Sequence, residues 1–140
     1  MPRAEVFRKL VAARAGGGCE YCRLLEIATG VKFHIEHVLP ESLGGKTALS
    51  NLAHSCPGCN LAKSERTIGE DDSGHEQALF NPRQFEPWLL GWHLHFALDK
   101  ESGIVLPRTP KGDATVRALR MNDPIRVFAS KLQIQVGLIA

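Results

Sequence analysis

Three observations predict an α+β fold. Two Cys-x-x-Cys pairs, Cys19/Cys22 and Cys56/Cys59, frame a stretch rich in β-branched and aromatic residues. A helical pattern precedes that frame and another leaves its second pair. The C-terminal half then reads as a hairpin followed by helix-start signals. The expected architecture is a small hairpin-and-helix core stapled by a four-cysteine metal site, with an N-terminal helix and a C-terminal hairpin-plus-helices extension. The 140 residues suffice for one modest hydrophobic core, so one domain over 1–140 is expected, with its core at 19–68 and its extension at 79–140.

Residues 2–15 read as the first helix, with Val6, Leu10 and Ala13 at helical spacing and Phe7 and Val11 widening the stripe. Gly16-Gly17-Gly18 stops it. Arg3, Arg8, Lys9 and Arg14 lie outside the stripe, where a solvated face accounts for them more simply than phosphate contact. Cys19-Glu20-Tyr21-Cys22 forms a tight knuckle, and residues 33–39 a strand that Pro40 ends. Ser42-Leu43-Gly44-Gly45 is a loop, and Ser50-Asn51-Leu52-Ala53 begins the second arm of an irregular hairpin. Cys56-Pro57-Gly58-Cys59 is the second knuckle, with a short helix from Asn60 to about Ile68. Gly69 to Gly74 is a polar acidic loop, and 69–91 reads as a linker between two subregions. Trp92, Leu94 and Phe96 alternate as one strand face, paired with Ile104-Val105-Leu106 across a turn from Asp99 to Gly103. Asp113 is expected to cap a helix over 114–121. Asp123-Pro124 starts a last helix whose apolar stripe is Ile125, Phe128 and Leu132. Val136 to Ala140 is apolar and suits the core or an oligomer contact.

Composition excludes little but sharpens the cysteine reading. The apolar fraction of 44% and charged fraction of 23% are ordinary for a soluble globular protein. The formal charge of +2 does not by itself announce nucleic-acid binding. Four metal-bound thiolates with one dication would bring the total to about 0, so any basic surface is local. The charged start Met1-Pro2-Arg3-Ala4-Glu5 lacks an apolar signal core, and no run reaches membrane-spanning length. A reducing cytoplasm is therefore expected, where paired cysteines hold metal more often than disulfides. Two Cys-x-x-Cys pairs complete a four-sulfur shell around zinc with no open position, which makes that metal structural. Two disulfides are disfavoured by the compartment, and a redox dithiol by the second pair and the lack of a βαβ pattern. The 33 residues between the pairs leave room for an insertion, and it carries His34-Ile35-Glu36-His37.

Glu36-His37 within His34-Ile35-Glu36-His37-Val38-Leu39-Pro40, Asn51 in Ser50-Asn51-Leu52, and Asn60 directly after Cys59 stand at suggestive spacings. With these residues the sequence resembles the HNH endonucleases, whose core is a β-hairpin and a helix around one catalytic metal, the ββα-metal fold. The Cys19-Glu20-Tyr21-Cys22-Arg23 opening, Leu79-Phe80-Asn81-Pro82-Arg83, and the stretch from Ala114-Thr115-Val116-Arg117 to Met121-Asn122 resemble one bacterial subgroup. Only residues 19–66 carry specific motifs.

The resemblance implies a metal-dependent endonuclease that hydrolyses DNA, double-stranded by expectation, to a 5′-phosphate and a 3′-hydroxyl. His37 would be the general base that activates water, as an imidazole titrating near neutrality can. Glu36 and Asn60 would offer oxygen ligands to a catalytic magnesium or manganese ion that stabilises the leaving 3′-oxygen. Asn51 would brace the hairpin so that a main-chain carbonyl sets the imidazole tautomer. Lys63, on the same helical face as Asn60, is a candidate phosphate contact, with a solvated lysine as the alternative. The family usually carries Asp where this chain has Glu36, and the extra methylene moves the carboxylate. On a regular strand His34 and Glu36 share a side that His37 does not. Either the strand is distorted there or His34 is a further ligand; distortion is favoured, leaving His34 a packed or hydrogen-bonded residue.

The remaining candidates carry less. His93 and His95 read as a partly exposed pair, His54 and His75 have no evident partner, and Trp88 and Trp92 suit packing better than base stacking. Arg117 and Arg120 suit either DNA backbone or a plain surface face. A catalytically inactive, zinc-stabilised nucleic-acid-binding module is the alternative function, and a purely structural zinc domain the third.

Overall fold

The computed structural model describes residues 3–139, so the Pro2 start of the first expected helix and the Ala140 end of the apolar tail lie outside the described residues. The fold is α+β, with small antiparallel strand pairs and helices gathered on a four-cysteine cluster. A 3-10 turn at Ala4–Phe7 runs into helix α1, Arg8–Arg14. Its inward side is not the expected one. Val11 is fully buried, while Val6, Leu10 and Ala13 face outward. Arg14 turns in, donating to the carbonyls of Leu49 and Leu52, and Arg8 donates to the carbonyl of Phe33. The helix is thus held to the hairpin partly by guanidinium-to-carbonyl bonds, which hydrophobic spacing does not reveal.

Strand β1, His34–His37, pairs antiparallel with β2, Leu52–Ser55, in the register His34↔Ser55 and His37↔Leu52. The intervening loop turns at Gly44, whose φ of +91° suits glycine. At Gly45 a Cβ would run into the Leu39 carbonyl oxygen. Helix α2, Pro57–Lys63, starts earlier and stops sooner than expected. Pro57 occupies its first turn and the Cys56 sulfur accepts from the Cys59 N–H as a cap, so the helix begins inside the knuckle. Ser64, at φ +50°, ends it, and Ile68 belongs to a strand.

The segment expected as linker is ordered structure. β3, Ile68–Glu70, and β4, Glu76–Ala78, form a hairpin whose turn is tied by Asp71 Oδ1 accepting from the N–H groups of Ser73 and His75. Helix α3, Trp88–His95, replaces the expected strand at 92–96. Trp88, Gly91 and Trp92 share its buried side, and Phe85 packs on Gly91; the alternation of Trp92, Leu94 and Phe96 breaks because Leu94 is exposed. The strand begins only at β5, Phe96–Leu98, which pairs with β6, Val105–Pro107, across the expected turn. Helix α4, Pro110–Ala118, is capped by Thr109, whose Oγ1 accepts from the Gly112 N–H at 3.0 Å, not by Asp113. It packs on β3, β4 and β6.

Helix α5, Pro124–Gln135, starts where Asp123-Pro124 predicts, yet Asp123 pairs with Arg120 instead of capping. Its stripe is inverted: Ile125 is 79% and Phe128 64% exposed, while Ser130 and Gln133 face inward, with Gln133 bonded to the backbone of Leu25. One apolar cluster runs from Tyr21 and Phe33 through Phe80, Trp88 and Trp92 to Leu119 and Met121. A buried Glu20–Arg83 pair, with Glu20 also accepting from the His54 N–H, binds the extension to the first knuckle. No helix among the described residues is long and apolar enough to cross a membrane.

Gly45→Ala is expected to lower unfolding free energy by roughly 2–3 kcal/mol, and Gly44→Ala by about 1 kcal/mol. Urea titration of the two variants checks the ordering, which reverses if the Leu39 contact is easily relieved.

Candidate nuclease site and its cysteine frame

The four cysteine sulfurs lie within 4.8 Å of one another, all buried, and none is in a disulfide. Cys22 and Cys56 approach to 3.6 Å. A tetrahedral ion with bonds of about 2.3 Å spaces its sulfurs about 3.8 Å apart, so the cluster has the dimensions of a closed structural metal site. The N–H groups of Tyr21 and Cys22 point at Cys19 Sγ, as expected where a thiolate carries charge. Hydrogen bonds from the other three cysteines hold the Cys22 thiol well below its usual range, whereas burial pushes Cys19 and Cys59 well above it. Four sulfurs so close ionise together only around a cation.

The sequence reading did not anticipate Arg126. From α5 its guanidinium donates to Cys59 Sγ at 2.6 Å and lies 3.8 Å from Cys56 Sγ, while its other nitrogen donates to the carbonyls of Leu119 and Arg120. Burial alone would lower its pKa, but attraction to the Cys59, Cys22 and Cys56 sulfurs raises it, so the charge is held in place. Gly58 leaves room for it, since a Cβ there would stand 3.2 Å from the Arg126 guanidinium.

A cleft of about 250 Å³ opens beside this frame, lined by His34, Glu36 and His37 of β1, by Glu41, and by Asn60 and Ser64 at α2. His37 is half-buried, and its Nε2 shares a hydrogen bond of 2.8 Å with Thr47 Oγ1; Glu41 Oε1 lies 3.7 Å from the same nitrogen. The partner that fixes the ring is thus a hydroxyl across the loop, where a main-chain carbonyl was expected. Asn51 clamps that loop: its Oδ1 accepts from Leu39 N–H, and its Nδ2 donates to the carbonyls of Leu39 and Lys46. The Asn60 side chain makes no hydrogen bond among the described residues.

Glu36 is buried. Its Oε1 accepts from Lys63 Nζ at 2.8 Å and from the Tyr21 hydroxyl at 3.1 Å, while its Oε2 is buried with no partner. Burial pushes its carboxyl above the usual carboxylate range, against the opposing pull of Lys63 and Tyr21. Lys63 is 2% exposed and also donates to the Val38 carbonyl, so it is neither a solvated lysine nor presented at the surface. His34 is exposed and its side chain makes no hydrogen bond among the described residues, where a packed or hydrogen-bonded histidine was expected.

Several of the other candidates make structural contacts. His54 is buried against Phe33 with its Nδ1 bonded to the Gly18 carbonyl, and His95 Nδ1 bonds Thr109. Trp88 and Trp92 are core residues, the latter donating to the Tyr21 carbonyl. Arg117 pairs with Asp72 and Asp113.

Residues 19–66, about a third of the chain, match the HNH endonuclease family model. No curated protein and no solved structure matches the chain. The matched span runs from the first cysteine past the end of α2, so it takes in every wall of the cleft and all four sulfurs.

Arg126→Gln is expected to leave the four-cysteine metal bound at equilibrium but to speed its loss to a chelator about tenfold. A colorimetric chelator assay reads this directly, with Lys131→Gln on the same helix as a control that should change nothing.

Proposed function

We propose that the protein is a metal-dependent endonuclease that hydrolyses DNA phosphodiester bonds, with His37 as general base. The observation that carries this reading is the convergence of His37, Glu36 and Asn60 on one cleft inside the segment that matches the family. The donors fit a hard divalent ion such as magnesium or manganese. Glu36 has a buried carboxylate oxygen with no protein partner, and the Asn60 amide is uncommitted among the described residues. Glu36 and Asn60 would hold that ion, which when bound supplies positive charge to the departing 3′-oxygen.

The chain's own residues account for the rest. When His37 Nε2–H donates to Thr47, the lone pair falls on Nδ1, and that nitrogen takes the proton from the attacking water. Glu41 Oε1 stands 3.7 Å from the same Nε2, beside the Thr47 hydroxyl contact. Asn51 and Gly45 keep the loop carrying Thr47 closed on Leu39, so the ring is held before substrate arrives. The cysteine cluster, which we read as a zinc site, fixes α2 against β1 and so sets the distance from Asn60 to Glu36.

Purified protein with supercoiled plasmid and magnesium or manganese should give nicked or linear product. His37→Ala should reduce the rate at least about 100-fold while keeping the four-cysteine metal. Equal rates in the two proteins would remove His37 from the role of base. A mobility shift with no cleavage over several metals would favour an inactive binding module instead.

A further inference from the structure

We propose that Lys63 and Tyr21 are positioning residues for Glu36, occupying one carboxylate oxygen so that the other alone meets a divalent cation; the proposal rests on the nuclease reading above. Both groups bind the same atom. Lys63 Nζ and the Tyr21 hydroxyl converge on Oε1, and Oε2 receives nothing. A buried carboxylate served on one oxygen only is an unfinished site, because an unpaired buried acceptor is costly and a second donor is the usual remedy. The side chains that would finish it are missing among the described residues, while Glu36 and Asn60 line the same cleft.

Lys63 is a poor candidate for a purely stabilising pair. An ammonium group that is 2% exposed has lost its water, and an apolar side chain of similar size commonly serves a core as well. Its placement is explained by what it holds. Lys63 Nζ bridges the Glu36 carboxylate and the Val38 carbonyl two residues further along the chain, so it ties the carboxylate to the backbone just past its own strand. Lys63 also lies three residues after Asn60 on α2, so one helical turn carries both the second ligand and the anchor of the first. Tyr21 lies between two cysteines of the frame, which ties the anchor to the metal cluster.

The sign of the effect on metal affinity separates this role from the simpler one. If Lys63 merely competes with a cation for Glu36, its loss removes a repelling charge and metal binds more tightly. If it positions Glu36, metal binds more weakly despite that lost repulsion. Mn²⁺ binding to the full-length protein, with its four-cysteine metal loaded, is measured by electron paramagnetic resonance for the wild type, Tyr21→Phe, Lys63→Met and Glu36→Gln. Glu36→Gln should abolish the site, and Tyr21→Phe and Lys63→Met should each weaken Mn²⁺ at least about tenfold. Tyr21→Phe removes one hydroxyl and changes no charge, so it tests the idea even if Lys63→Met fails to fold. High Mn²⁺ should restore plasmid cleavage by Tyr21→Phe, which a folding defect would not allow. Unchanged affinity in Tyr21→Phe, or tighter binding in folded Lys63→Met, overturns the positioning role alone. A wild type that binds no Mn²⁺ overturns the nuclease reading together with it.

Discussion

The rest of the structure depends on the convergence of four thiols whose two pairs are separated by 33 residues. The strand pair between them has only four residues a side, and α2 only seven. Elements this short do not persist alone in water. A metal held by the four sulfurs would close that loop and order both knuckles at once, so the hairpin and α2 would inherit their relative positions from it. Cys56 shows how local that coupling is, because the sulfur in the cluster also caps the helix that carries Asn60.

Around the cluster the protein uses charge and hydrogen bonds where larger domains use apolar area. Arg126 answers the negative sulfurs from α5, the Glu20–Arg83 pair ties the extension to the first knuckle, and Arg14 and Arg8 bond hairpin carbonyls from α1. Each joins segments distant in sequence. This also accounts for the apolar side of α5 facing outward: the helix is held from its other side by Arg126 and Gln133.

What was legible in the sequence follows the same division. The cysteine pairs could be read because a four-thiolate metal site needs those residues at that spacing. Glu36-His37, Asn51 and Asn60 were named through a family resemblance; the structure brings Glu36, His37 and Asn60 to one cleft and sets Asn51 on the loop beside it. The turn at 99–103 and the helix start at Asp123-Pro124 could be read because proline, glycine and aspartate act locally. The misreadings concern partners contributed by distant segments. Three-residue strands at 68–70 and 76–78 give no alternation to detect. Trp92, Leu94 and Phe96 fit a strand or a helix, and Trp88 at helical spacing from Trp92 was the neglected discriminator. The α5 stripe was periodic and correctly helical, yet periodicity cannot say which side meets the core when an arginine and a glutamine do the docking. Lys63 was invisible as a buried residue, since only a carboxylate 27 positions earlier explains its burial.

Glu36 is where the frame and the cleft meet, and on the proposed reading it would account for how such a site accommodates a longer acid. Its backbone belongs to β1, its Oε1 is held by a residue inside the first knuckle and by the last residue of α2, and its side chain lines the cleft. A flexible glutamate free at its end would lose rotamer entropy on binding a cation, a loss an aspartate suffers less. If Glu36 binds a cation as proposed, the two contacts formed during folding would move that loss from the binding step to the folding step. The added methylene then becomes a matter of where the carboxylate is pinned, and its pinning atoms are supplied by the same two segments that the cysteines bring together.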